Sequence, residues 1–379
     1  MGQLSGRASV AVALFAVALG TNVATPLLLI YEGRLGLSTW TLTALFAVYP
    51  IGLAPALVFS GPASDVLGRR AVMAPGVLLS GVASVVLLLG RDSLAMSGLV
   101  LVVASAWIQE LGRDDPMWSA RLVGIVMYSG FGLGPLMSGL IGQWGPAPLT
   151  LPYVVHLVTI VLGLAVLVVA PESVTRSPGR RIRPNLGIPA ESAPEFWRVV
   201  VPTSFGVFGM PSLAFGLFPV ILKPAMESVA VFVSGLLGML AMVAIVPAQA
   251  WVGRAGPHRA APLALAIGAT GCCLGLIALA SDWWPLLFAS AVLMGGASGL
   301  AMTSGLRIFD MICRPEDRGA LNGAFYAAAY AGMMMPLVVT SIARVVGSTT
   351  AVLAGVTVAT TSVSLWLYRA TREIRTAAV

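Results

Sequence analysis

The chain has 379 residues, of which 58% are hydrophobic and 10% are charged, and its mean hydropathy is +0.93. An ordinary soluble domain carries about 25% charged residues, so this composition excludes a soluble protein. The net charge of +7 comes from cations scattered between apolar blocks, which argues against a nucleic-acid-binding face.

Twelve apolar blocks predict membrane spans, because a helix needs about 20 apolar residues to cross a bilayer. We expect helices, since backbone groups that face lipid must be hydrogen-bonded within their own segment. The blocks also lack the period-two alternation of a transmembrane β-barrel. In chain order, spans 1 to 12 cover residues 8–31, 39–60, 71–90, 94–111, 119–141, 150–170, 198–222, 226–251, 260–280, 284–306, 320–343 and 348–368.

Span 1 follows Arg7, as the apolar part of a secretory signal would. It is long enough to cross the membrane, which favours an uncleaved first helix. With the spans placed, 18 Lys and Arg fall on one side and 4 on the other. Since positively charged loops stay in the cytoplasm, we predict cytoplasmic termini and a multi-pass protein of the cell (plasma) membrane.

Residues 171–197 form the longest polar stretch and are rich in Pro and Arg. We interpret them as a cytoplasmic linker between an N-terminal bundle of six spans, residues 1–170, and a C-terminal bundle of six, residues 198–379. The arginines of the linker fit simple cytoplasmic retention, and contact with anionic lipid is the alternative.

A weak internal repeat supports this division. Glu110 and Gly124 recur as Asp310 and Gly323, about 200 residues later. Two repeated halves are a common plan among transporters.

Residue types that would carry enzyme or metal chemistry are sparse. Cys272 and Cys273 are adjacent in span 9 and Cys313 lies in a loop, a spacing that predicts neither a disulfide framework nor a metal site. His156 and His258 are far apart, and no nucleophile motif accompanies them, which argues against a membrane enzyme. We expect no cofactor and no metal.

The loop after span 2 is the most informative segment, and it contains Gly61, Asp65, Gly68, Arg69 and Arg70. Its glycines permit unusual backbone angles, and a carboxylate such as Asp65 suits the N-terminus of a neighbouring helix. Any short loop between spans needs Gly and Arg. The spacing G-x-x-x-D-x-x-G-R-R between the second and third of twelve spans, however, closely resembles the signature of the major facilitator superfamily.

This resemblance implies two pseudo-symmetric six-helix bundles that alternate access to a central cavity. It also implies that Asp65 docks near residues 319–321 at the start of span 11 and locks the outward-open state. Arg69 would join an ionic cluster with Glu110 and Arg121.

Span 5 carries a second motif, formed by Gly130, Gly134, Pro135 and Gly139. Small residues four apart let helices approach closely, and the proline favours a kink, so a packing seam explains the run. The run is also similar to the G-x-x-x-G-P-x-x-G-G motif of superfamily exporters that exchange substrate for protons, with Ser138 in place of one glycine. This similarity favours an exporter over an importer.

Proton coupling requires a titratable group inside the membrane, yet all 15 Asp and Glu fall in loops or at span ends. The proton candidates are therefore Glu32, at the outer end of span 1, and His156, in span 6. A hydrogen-bonded packing residue is the simpler interpretation of His156. Span 4 also lacks the intramembrane Arg that superfamily members often carry.

Polar and aromatic residues on apolar spans are the candidates to line the substrate cavity, although each could instead be a packing residue. They are Asn22, Thr25, Tyr128, Phe205, Phe208, Asn322, Phe325 and Tyr326. Their uncharged character suits a small hydrophobic or weakly polar solute. We predict a monomeric secondary transporter that exports such a solute with proton coupling. An uncoupled facilitator, an importer, and a non-transporting sensor or scaffold stay open.

Overall fold

The structure is a computed structural model. It describes residues 2–48, 50–51, 69–89, 118–169, 188, 191–313 and 318–377, with the side chains of 2–7, 69–73, 118–123, 168–169, 318–322 and 373–377 left out. Throughout these ranges the regular structure is helical.

We number the longer helices in chain order and treat segments that continue one another as one helix. The helices are α1 Gly2–Thr21, α2 Ala24–Leu35, α3 Thr39–Val48, α4 Arg69–Leu89, α5 Trp118–Trp144, α6 Leu151–Val169, α7 Ala193–Ile221, α8 Ala230–Ala255, α9 Pro257–Ser281, α10 Leu286–Ile312, α11 Arg318–Gly332, α12 Met335–Val346 and α13 Thr349–Ala377.

The described helices overlap eleven of the twelve predicted spans. Within the described residues, seven helices are long and apolar enough to cross a membrane, and α11 with α12, joined at a 42° bend, would make an eighth. Shorter apolar helices correspond to spans 2, 3 and 6. Span 4, residues 94–111, lies outside the described residues, so the count of twelve stays a prediction. The predicted all-helical, polytopic fold is confirmed.

Local sequence signals set several helix ends. Ser38 begins α3 as an N-cap, since its hydroxyl accepts a hydrogen bond of 3.2 Å from the Thr41 backbone N–H. Gly36 ends α2 at φ 62°, and Gly347 ends α12 at φ 77°, a left-handed conformation that glycine adopts without steric cost.

Helix α7 departs from regular α-helical geometry in two places. Residues Phe196–Val200 and Ser212–Leu217 form π-helical turns, the second directly after Pro211. Proline removes a backbone donor and clashes with the preceding turn, which explains why the hydrogen-bond pattern changes there. Single-turn π segments are frequent at functional sites.

The packing of the helices divides the chain into two compact units. Unit 1 comprises Met1–Leu37, Val48–Asn185 and Ser234–Met239. Unit 2 comprises Ser38–Ala47, Leu186–Val233 and Leu240–Val379. This division differs from a division at the linker in two short segments. Most of α3 belongs to unit 2, and the segment Ser234–Met239 of α8 belongs to unit 1.

Unit 1 is built around α1, which packs against α5 and α6, while α4 packs against α6. Its core contains small residues where the helices approach most closely. Gly163 faces α1, and a Cβ there would lie 3.2 Å from the Ala16 Cβ. At one end of the unit, Leu27, Tyr31 and Tyr153 are buried together.

Unit 2 is built around α9 and α10, which pack closely along their length, with α13 on α9 and α7 on α10. Helix α11 packs against α7. Its core joins Phe196, Val207, Leu265 and Phe325, all buried.

Candidate functional site

The predicted gating motif lies largely outside the described residues. Gly61, Asp65, Gly68 and Glu110 are not described, while Arg69 and Arg70 begin α4, Arg121 lies in α5 and Asn322 lies in α11, each without a described side chain. Docking of Asp65 and the ionic cluster therefore stay predictions.

The glycine motif of α5 makes close contacts on two of its faces. Toward α1, a Cβ at Gly130 would lie 2.6 Å from the Ala18 Cβ, and a Cβ at Gly134 would overlap the Leu19 carbonyl oxygen. These positions accept only glycine unless the two helices separate. The predicted packing seam is thus present in unit 1.

The other face of the motif contacts α8 at Gly235. A Cβ at Gly235 would overlap the Pro135 carbonyl oxygen and would lie 3.0 Å from the Gly139 Cα. Ser138, which replaces a glycine of the motif, is fully buried and donates to the Pro135 carbonyl oxygen at 3.1 Å. We call this contact, formed by Pro135, Gly139 and Gly235, the α5–α8 seam.

The cavity candidates of unit 1 lie near one another. Asn22 is at the break between α1 and α2, is 7% exposed, and donates through Nδ2 to the Phe131 carbonyl oxygen at 3.5 Å. The half-buried Tyr128 ring lies 6.5 Å from the Phe131 ring. Thr25, also half-buried, donates its backbone N–H to the Asn22 carbonyl oxygen. Phe131 connects these residues and was not predicted from the sequence.

His156 has a hydrogen bond on each ring nitrogen. Nε2 donates to the Ala16 carbonyl oxygen at 3.2 Å, so Nδ1 of the neutral ring accepts from the Ser84 hydroxyl at 2.6 Å. The ring also fills the space opposite Gly20, where a Cβ would overlap it. This arrangement joins α1, α4 and α6 and has the geometry of a packing residue. Glu32, the other proton candidate, is half-buried in α2.

Unit 2 carries an aromatic cluster along α7 and α11. The Phe208 and Tyr330 rings are stacked, with centroids 4.6 Å apart and planes at 26°. Phe205 is 37% exposed, and Tyr326 is half-buried. We call Phe205, Phe208, Tyr326 and Tyr330 the aromatic cluster. Tyr330 was missed in the sequence, although it follows Tyr326 by four residues and so lies on the same helix face.

Phe325 has a different environment from the other aromatic candidates. It is fully buried in the core of unit 2, where a Cβ at Gly305 would lie 2.7 Å from its ring. This burial is typical of a packing residue, which was the alternative interpretation of every cavity candidate.

Helices α7 and α11 approach closely at a pair of glycines beside the aromatic cluster. A Cβ at Gly332 would overlap the Phe205 carbonyl oxygen, and a Cβ at Gly209 would lie 3.3 Å from the Gly332 carbonyl oxygen. The chain bends by 42° directly after Gly332. The Ser298 hydroxyl donates to the Val207 carbonyl oxygen at 2.5 Å, so α10 also anchors this part of α7.

Helix α3 is attached within unit 2 by polar contacts to α12. The Thr43 and Thr340 hydroxyls are 2.7 Å apart, and the Trp40 Nε1 donates to the Ser341 hydroxyl at 2.9 Å. The Arg344 guanidinium lies over the Trp40 ring at 5.3 Å. We call this contact, formed by Trp40, Thr43, Thr340, Ser341 and Arg344, the α3–α12 seam.

Aromatic packing extends this attachment toward α7. The Phe46 and Phe215 rings meet edge to face at 5.9 Å, and Gly216 leaves room for the Phe46 ring. Phe215 and Gly216 belong to the second π-helical turn of α7. The irregular turn thus lies where α3 packs.

No family model and no curated protein matches the sequence. Among solved structures, a mutant form of the nucleoside transporter NupG is similar over 97% of this chain and 99% of its own, with a TM-score of 0.72 and 14% identity. A bacterial homologue of the iron transporter ferroportin, in an outward-facing state with soaked iron, is similar over 96% of this chain and 98% of its own, with a TM-score of 0.61 and 15% identity. At 14% and 15% identity these likenesses show the fold, and the chain has the fold of these two neighbours.

Proposed function

We propose that the protein is a secondary transporter that moves a small, uncharged, weakly polar solute across the membrane by alternating access. The observation that carries this proposal is the exchange of two segments, Ser38–Ala47 and Ser234–Met239, each attached to the unit built from the other half of the sequence. A transporter must make and break such attachments as it opens to one side and then to the other.

The predicted orientation puts both seams in the outer half of the membrane, because spans 2 and 8 begin, and spans 5 and 11 end, on the outer side. Formation of the seams would then close access from outside, and the loop motif at Asp65 would act on the inner side. The contacts of the α3–α12 seam suit reversible closure, since a hydrogen bond contributes only about 0.5–1.5 kcal/mol net. A solute that binds the two states differently by a few kcal/mol could therefore shift the equilibrium.

The chemistry of the candidate residues supports an uncharged solute with a flat ring. Phe208 and Tyr330 show that aromatic faces stack in this part of unit 2, and a planar heterocycle binds such faces through the same offset stacking. In unit 1, the Asn22 amide donates to the Phe131 carbonyl oxygen, and the Tyr128 ring lies beside the Phe131 ring. NupG is a nucleoside transporter, and nucleosides, which combine an uncharged base with hydroxyl groups, are the first solutes to test.

Iron, the ion soaked into the second neighbour, is a weaker candidate. Within the described ranges, no group of three His, Cys, Asp or Glu side chains could hold a metal ion. The proposal therefore keeps to organic solutes.

Export driven by protons is the mode that the glycine motif of α5 supports. The second candidate is an uncoupled facilitator, which the hydrogen bonds of His156 favour, because both nitrogens of the neutral ring are already occupied. If export is coupled to protons, Glu32 is the remaining proton candidate. Glu32→Gln should then abolish coupling while leaving equilibrative flux intact.

The test is flux of labelled uridine and adenosine through proteoliposomes that contain the purified full chain, with empty liposomes as the control. We expect saturable flux that an excess of unlabelled nucleoside inhibits. Accumulation against a concentration gradient that a protonophore abolishes supports coupled export, whereas equilibration indifferent to the pH gradient supports the facilitator. Absence of saturable flux for these and other uncharged ring solutes would overturn the proposal.

A further inference from the structure

An apolar groove of about 470 Å³ opens on unit 2 among α8, α9 and α10. Its volume is within the range of about 300–1,000 Å³ that small-molecule pockets have. Its lining includes Trp251 from α8, Leu263 and Ile267 from α9, and Val292 and Gly296 from α10. None of the described residues that line it is charged.

Gly296 keeps the groove open. A Cβ built at this position meets no heavy atom within 4 Å, whereas a Cβ at Gly299, one turn away, would overlap the Ile245 carbonyl oxygen. The space beside Gly296 is therefore available to a ligand, and a larger side chain there would fill it without disturbing the helix packing.

Three exposed arginines extend the same helix faces beyond one end of the groove. Arg254 follows the lining residue Trp251 by three residues, and Arg259 precedes Leu263 by four. Arg307 follows Leu300, another lining residue, by seven. Residues at these spacings lie on one face of a helix, so each arginine continues a lining face.

The arginines are also close to one another. Arg307 Nη2 lies 3.9 Å from the position of a Cβ on Gly253, the residue next to Arg254. Arg254 and Arg259 flank the turn at Gly256 that joins α8 to α9. Asp310 is one turn beyond Arg307 and exposed, so the cluster keeps an excess of positive charge.

From this geometry we infer a binding site for one anionic phospholipid, with an acyl chain in the groove and the headgroup phosphate on Arg254, Arg259 and Arg307. Guanidinium groups bind phosphate oxygens through paired, charge-assisted hydrogen bonds. The predicted orientation places the arginines at the cytoplasmic side, where anionic lipids are concentrated. Trp251, a lining residue that is 40% exposed and precedes Arg254 by three residues, has the position that aromatic side chains favour at a membrane interface.

The site does not depend on the proposed transport function, because it is assembled within unit 2 and shares no residue with the seams or the aromatic cluster. A zwitterionic lipid could fill the groove but would gain little from three arginines. A hydrophobic solute would gain nothing from them. The arginines and the groove together therefore favour an anionic lipid as the occupant.

The experiment is native mass spectrometry of the purified full chain titrated with phosphatidylglycerol or phosphatidylcholine of identical acyl chains. Arg254→Gln and Arg307→Gln test the headgroup contact, with Arg369→Gln, an exposed arginine of α13, as their matched control. Gly296→Leu fills the groove, and Gly355→Leu, at another glycine with open space around its Cβ, is its control.

We expect tighter binding of the first phosphatidylglycerol than of phosphatidylcholine, and about fivefold weaker binding for each arginine removed, since each contributes about 1 kcal/mol near the surface. Gly296→Leu should remove this preference, and both controls should retain it. The inference is overturned if the two lipids bind equally, or if Arg369→Gln weakens binding as much as Arg254→Gln does. It is equally overturned if Gly296→Leu changes solute flux while leaving the lipid preference intact, because the groove would then belong to the solute.

Discussion

The two exchanged segments are attached to their units by different physical means. At the α3–α12 seam, α3 is bound through hydroxyl groups and a cation over a ring, with Thr43 and Trp40 as the central residues. At the α5–α8 seam, α8 approaches α5 so closely that Gly235 leaves no room for a Cβ. Removing single interactions should shift the equilibrium of the first seam toward its open form by small steps. Adding a single side chain should shift the equilibrium of the second seam by a large step.

The largest expected effect is at the α5–α8 seam. Gly235→Leu forces a side chain against the Pro135 carbonyl oxygen, and such overpacking costs about 1–3 kcal/mol, or about 5-fold to 150-fold in an equilibrium between closed and open seams. We expect increased outer-side labelling of cysteines introduced near residue 235. Gly355→Leu, which meets open space, is the control, and equal labelling in both variants would contradict the steep response.

Next in size is the predicted inner motif, which should shift the equilibrium in the opposite direction. Asp65→Asn removes the charge that would dock at a helix N-terminus, worth up to about 2 kcal/mol when partly buried, or about thirtyfold. Outer-side labelling should fall, because the outward-open state loses its lock. If labelling and transport rate both stay at the level of the unchanged protein, the role implied for Asp65 is wrong.

At the α3–α12 seam, Thr43→Val should have a smaller effect than Gly235→Leu. It removes one hydroxyl pair, while the Thr340 hydroxyl keeps its bond to the Pro336 carbonyl oxygen at 3.0 Å. A loss of about 0.5–1.5 kcal/mol corresponds to a change of about twofold to twelvefold in outer-side accessibility. Thr361→Val, at an exposed threonine that bonds only within its own helix, is the matched control.

The smallest effect on gating is expected from a substitution in the aromatic cluster. Such a substitution should change solute binding without changing the opening of either seam. Phe208→Leu removes a stacking surface worth about 0.5–1.5 kcal/mol, and the half-buried position favours the lower end, about twofold in KM for flux. Accessibility at both seams should not change. A shift in labelling without a change in KM would place Phe208 in the gate instead.

Sequence patterns predicted the helices well, because apolar block length and cation distribution determine where a chain can cross a membrane. They also identified Gly130 and Gly134 as packing positions. They did not reveal Gly235 as the partner of Pro135, since that contact joins residues about 100 apart in the chain and depends on helix rotation. The partners of His156 were hidden for the same reason.

The candidate site was predicted less completely. Phe208 and Tyr326 were found because aromatic residues are conspicuous on apolar helices, and Tyr330 could have been found from its i+4 spacing. Phe325 was grouped with them, although it is fully buried in the core of unit 2, opposite Gly305 of α10. The second π-helical turn of α7 follows Pro211, but the sequence does not show how the hydrogen bonds rearrange around a proline.

A reversible disulfide across the α3–α12 seam tests most directly whether the exchanged segments move during transport. The Thr43 and Thr340 hydroxyls are 2.7 Å apart, which places cysteines at both positions within reach of a disulfide. The pair is introduced into a chain whose Cys272, Cys273 and Cys313 are replaced by Ala, with each single cysteine as a control. We predict that oxidation stops solute flux in proteoliposomes and that a reducing agent restores it. Unchanged flux through the fully oxidised protein would show that this seam stays closed during transport, and would contradict the account.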